Sequence, residues 1–115
     1  MNKEIAKRWV DAARSGEYKQ TRFALKRNNC FCFLGLLCEL HREEFGGKWE
    51  RKLHGVVYMG YRCSLPAEVC EWAGIVNQNV MTKDNESHHL SHLNDTKLFT
   101  FEQLANLVEA QAETL

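Results

Sequence analysis

Apolar residues recur every three to four positions at the start of the chain. Ile5, Trp9, Val10 and Ala13 share one helical face, while Lys3, Glu4, Lys7, Arg8, Asp11 and Arg14 fall mostly on the other. This predicts an amphipathic helix over residues 2–15, stopped by Gly16. From Thr21 to Phe33 the period shortens: Phe23 and Leu25 alternate with polar or small neighbours, and Cys30-Phe31-Cys32-Phe33 is a β-prone run. Asn28-Asn29 between them can take the positive φ that a tight turn needs, so a short hairpin is predicted. Helical spacing returns at Leu34, Leu37, Cys38 and His41, predicting a helix over 34–45 that ends at Gly46-Gly47.

Between Trp49 and Cys63 the pattern is irregular. Val56-Val57-Tyr58 and Tyr61, separated by Met59-Gly60, suggest a second hairpin. Pro66 and Gly74 bracket a short helix, with Pro66 at its first position and with Val69 and Trp72 turned inward, so that Trp72 is expected to be largely buried. Residues 75–99 are polar, with one strand expected at Asn79–Thr82 and a helical turn around His88–Leu93. The last helix is the best marked. Thr100 and Gln103 form a capping box, and Phe101, Leu104, Leu107 and Val108 make its apolar face. Together these elements predict one α+β domain over residues 1–115, with three to four short helices packed on one or two small antiparallel β-hairpins.

Composition agrees with a globular chain: 44% of the 115 residues are hydrophobic, 26% are charged, and there is one proline. The N-terminus has no apolar leader pattern and no run is long enough to span a bilayer, so a cytoplasmic protein with no membrane partner is expected. The five cysteines are an odd number without an export signal, and their apolar neighbours predict reduced, mostly buried thiols. Net charge is zero, which argues against general nucleic-acid affinity. It is unevenly spread, however. Residues 1–28 hold eight Lys/Arg against three Asp/Glu.

Several groups of residues invite a chemical reading. Tyr18, Gln20, Arg22 and Lys26, with Arg27 beside them, can grip a phosphate or an acidic surface; on one strand Arg22 and Lys26 would share a face. Asn94 and Asp95 stand before the last helix and can cap a turn or bind a ligand. His88 and His92, at i and i+4, with Asp95 nearby, have the spacing of a metal site, although the surroundings read as a polar loop. The cysteines lack the paired knuckles of structural zinc. None is expected at a helix N-terminus, where a thiolate would be favoured. There is no phosphate-binding glycine loop and no nucleophile elbow. No cofactor is expected.

Three blocks occur in order: Cys32-Phe33-Leu34-Gly35-Leu36-Leu37-Cys38-Glu39-Leu40, then Leu65-Pro66-Ala67-Glu68-Val69-Cys70-Glu71-Trp72-Ala73-Gly74, then Leu93-Asn94-Asp95 followed by Thr100-Phe101-Glu102-Gln103-Leu104-Ala105. This arrangement resembles a group of short bacteriophage and prophage proteins. The resemblance implies a phage setting inside a host cell and no particular mechanism. The expected function is that of a non-enzymatic accessory protein that binds a host protein or a small charged, nucleotide-like ligand, for example to blunt a host defence. The alternative is a small enzyme that uses a metal at His88, His92 and Asp95, or a Cys–His pair.

Overall fold

The computed structural model describes residues 1–76, 80 and 89–115. The first helix, α1 (Lys3–Arg14), begins where Asn2 Oδ1 accepts from the Ile5 N–H at 3.0 Å. Its predicted apolar face is the buried one. Trp9 is fully enclosed, its ring stacked on Phe33 at 4.4 Å and its Nε1–H donated to the Phe33 carbonyl at 2.9 Å. That bond satisfies the one polar group the indole brings into the core.

Three two-residue strands follow: β1 (Lys19–Gln20), β2 (Lys26–Arg27) and β3 (Cys30–Phe31). They pair in the order β1-β3-β2. The β2–β3 pair is the predicted hairpin, turning at Asn28, whose φ is 55°. The sheet is not purely antiparallel, because β1 runs parallel to β3. Nor does a strand begin at Thr21. Phe23 sits at φ 66° with its N–H donated to Asp95 Oδ1, and this breaks any extended run from Arg22 to Lys26. Arg22 and Lys26 therefore do not share a strand face.

The second helix, α2 (Phe33–Phe45), starts one residue earlier than its periodicity suggests because Cys32 caps it, with Sγ accepting from the Gly35 N–H at 3.3 Å. Gly35 lies hard against the Leu25 backbone, where an added Cβ would come 1.7 Å from the Leu25 carbonyl oxygen. The helix ends at Gly46, whose φ of 72° closes it in the left-handed conformation.

Strands β4 (Trp49–Lys52) and β5 (Gly55–Tyr58) form an antiparallel hairpin in which Arg51 faces Val56. Its turn lies at Leu53-His54, not at Met59-Gly60. The latter pair makes a further tight turn, across which Tyr58 and Tyr61 exchange two backbone hydrogen bonds. Met59 and Gly60 both have positive φ there, 52° and 88°. Among the described residues, helices α3 (Ala67–Ala73), α4 (Leu90–Asp95) and α5 (Phe101–Gln111) follow, with a short 3-10 turn at Ala112–Thr114 after α5. Pro66 is the N-cap of α3, one position before the predicted N1. Trp72 is only partly buried. The Thr100–Gln103 capping box is present with both hydrogen bonds.

The fold is α+β as expected, with helices α1, α2, α4 and α5 around a shared core and the two small sheets at its edge. Of the expected strand at Asn79–Thr82 only Val80 is among the described residues, buried and with φ 41°, and the start of the turn at His88 lies outside them. Among the described residues, no helix is long and apolar enough to cross a membrane.

Candidate functional site

Of the residues singled out for binding, Gln20, Asn94 and Asp95 come together, with Asn94 in the interior and Gln20 and Asp95 half-buried beside it. Asn94 is fully buried on α4. Its Oδ1 accepts from Gln20 Nε2 at 2.7 Å and from the Phe33 N–H at 3.2 Å. Its Nδ2 donates to the Thr21 carbonyl at 3.0 Å and to Asp95 Oδ1 at 2.7 Å. Gln20 uses its remaining capacity on the backbone before α5, giving Nε2 to the Phe99 carbonyl and accepting the Phe101 N–H. The two residues tie the first sheet, α2, α4 and α5 into one knot, and their amides have little left to offer a ligand.

The other candidates point elsewhere. Tyr18 is half-buried and donates its hydroxyl to Glu43 Oε1 at 3.2 Å; burial, then the nearby Glu43 charge, raises its pKa. Arg22 keeps a buried Nε without a hydrogen-bond partner. Lys26 Nζ lies 5.5 Å from the centroids of both the Phe31 and the Trp49 rings, a double cation–π contact. Of the metal alternative, His88 is outside the described residues, and Asp95 spends Oδ1 on Phe23 and Asn94. Among the described residues no three His, Cys, Asp or Glu side chains converge on a metal position.

The cysteines are all unpaired. Against expectation, Cys32 stands at a helix N-terminus. Burial nevertheless pushes its thiol up to about 12, outweighing the Gly35 N–H that would favour a thiolate. Burial also holds the Cys38 thiol well above its ordinary value and raises that of Cys70. These three are apolar packing groups at neutral pH.

The cationic cluster that does face solvent lies where the two hairpins meet, since β2 packs beside β5. Lys26, Arg27, Arg51, His54 and Arg62, together with the backbone around Asn28 and Gly55, line a pocket of about 130 Å³. No carboxylate among the described residues lines it. Among the described residues, Arg27, Arg51 and Arg62 have no acidic partner within ion-pair distance. Arg62 makes one long contact, Nη1 to the His54 carbonyl at 3.4 Å. Sequence reading reached Lys26 and Arg27 but missed Arg51, His54 and Arg62. The latter three lie 24 to 35 residues beyond Arg27, and only the packing of the hairpins brings them in.

In outline this is a small α+β protein with a cationic pocket between two hairpins that no carboxylate among the described residues lines. The family model described as a domain of unknown function (DUF8296) matches residues 1–112, and the chain belongs to that family. No curated protein and no solved structure matches the chain.

Proposed function

We propose that this is a non-enzymatic binding protein that takes an anionic, phosphate-like group in the pocket between its hairpins. The observation that carries the reading is the convergence of Lys26, Arg27, Arg51, Arg62 and His54 on one small cavity without a lining carboxylate, in a chain whose net charge is zero. A neutral protein has enough acids to neutralise such a cluster. Leaving three guanidinium groups together costs mutual repulsion that a bound anion relieves. Guanidinium groups also match phosphate oxygens in pairs. The pocket's volume suits a phosphate group and not a whole nucleoside, so the rest of a ligand would extend outward. On the phage resemblance, the ligand is a nucleotide or a phosphate-bearing partner of the host cell.

Calorimetric titration with pyrophosphate tests this. Binding should weaken about tenfold in Arg51→Ala, and should fall steeply between low and high salt as exposed charges are screened. Arg51 is exposed on the hairpin, so its removal should leave the fold intact. Equal affinity of parent and variant at low salt, or no heat in either, would overturn the reading.

A further inference from the structure

A second cavity, of about 510 Å³, opens at the other end of the β4–β5 hairpin, between the C-terminal turn of α2 and the start of α3. Its floor is made by two buried polar side chains. Tyr58 is 1% exposed and His41 is 4% exposed. The Tyr58 hydroxyl lies 2.6 Å from His41 Nδ1, and His41 Nε2 lies 3.7 Å from Glu68 Oε2. Phe45 and Met59, 59% and 41% exposed, form an apolar rim.

The proton positions follow from these partners. Burial lowers the His41 pKa, so the ring is neutral near pH 7 and carries one N–H. Placing that hydrogen on Nδ1 would aim the Nε2 lone pair at the Glu68 carboxylate, which is repulsive. The favoured tautomer therefore has the Tyr58 O–H donating to Nδ1 and Nε2–H facing Glu68. With its hydrogen spent on His41, the Tyr58 oxygen can only accept. Glu68 can likewise only accept, and Glu50 on the wall adds a second carboxylate, shared with Lys52 at 3.5 Å. The one cation among the described lining residues is Lys48, an exposed side chain on a long flexible stem. Gly47 passes so close that an added Cβ would sit 2.6 Å from the Tyr58 hydroxyl oxygen, so a side chain at that position would displace the floor.

An apolar cavity of this size with a few convergent polar groups is the usual form of a small-molecule site. Here the polar groups are acceptors, which selects a donor. We propose that the cavity binds a small organic cation, an ammonium on an apolar body, with the ammonium donating to the Tyr58 oxygen and the Glu68 carboxylate and the body lying against Phe45 and Met59. This site is separate from the anion pocket, and neither depends on the other.

Three probes of similar shape and different charge test it on the full chain: 2-phenylethylammonium, 2-phenylethanol and phenylacetate, followed by backbone amide chemical shifts at neutral pH. The ammonium should bind about tenfold more tightly than phenylacetate, with shifts around residues 41–48 and 57–68. Glu68, exposed on α3, can be changed without disturbing the core, and Glu68→Gln should weaken the ammonium about fivefold while leaving 2-phenylethanol unchanged. Phenylacetate binding as tightly as the ammonium would overturn the proposal. So would shifts confined to another region, no saturable binding up to millimolar ammonium, or an unaltered ammonium affinity in Glu68→Gln.

Discussion

Gly35 and Asn94 show how much of this fold hangs on single residues. Gly35 is inside a helix, where glycine is ordinarily unfavourable, and it is there because the Leu25 backbone occupies the space a Cβ would need. Gly35→Ala should therefore destabilise, by about 3 kcal/mol or more, although alanine is the better helix former. Urea denaturation decides it, and a gain in stability would show that the contact yields. Asn94→Ala leaves the Phe33 N–H, the Thr21 carbonyl and Gln20 without their buried partner, and should cost about 3 kcal/mol by the same measurement. The cysteines give a third test. Exposed Cys63 should be alkylated first in the native protein and half-buried Cys30 next, with Cys32, Cys38 and Cys70 slow until unfolding. Rapid labelling of Cys32 would mean that its capping position does activate it.

At the scale of elements, the helices were legible and the strands only partly so. α1 and α5 have long amphipathic patterns and side-chain caps, both local properties that a sequence displays. Thr100→Ala should accordingly cost about 1 kcal/mol in thermal unfolding. The two-residue strands carry too little pattern to be read, and parallel pairing of β1 with β3 is fixed by bonds such as Thr21 N–H to the Phe31 carbonyl. Trp72 is less buried than its spacing predicts, for a related reason. Period places it toward the core, yet it ends at the boundary, donating Nε1–H to Glu44 Oε2 at 2.9 Å and packing edge-on against His41, with Arg8 over its ring. Trp72→Ala should cost about 2 kcal/mol, below the 3–5 kcal/mol of a fully buried aromatic. The candidate site was legible only at Lys26 and Arg27; its other half depends on which hairpin edges meet, a tertiary fact with no local signature.

At the scale of the whole molecule, charge and burial set the response to pH. The Glu39 carboxyl is pushed up by burial, but hydrogen bonds from Arg42 and Trp49 outweigh this and hold it below its ordinary value. Its contribution is present above the unfolded pKa and lost as pH falls through the folded one. His41, buried and facing Tyr58, Glu68 and the more distant Glu44, also titrates below its ordinary 6.5. Its unfolded form takes up a proton first, so acidification below about 6.5 again favours unfolding. Both act in the same direction, and the urea midpoint should fall steadily from pH 7.5 to pH 4.5. A midpoint that rises over that window would contradict the assignment of both groups.

The same distribution of charge carries the central claim, that a neutral protein reserves one uncompensated basic pocket for an anion. The most direct measurement is a backbone amide shift titration with pyrophosphate at low ionic strength. Saturable shifts concentrated at residues 24–28, 51–56 and 62, and absent with an equal concentration of chloride, are the predicted result. Shifts scattered over the basic surface in proportion to ionic strength, or centred away from the meeting point of the two hairpins, would contradict it.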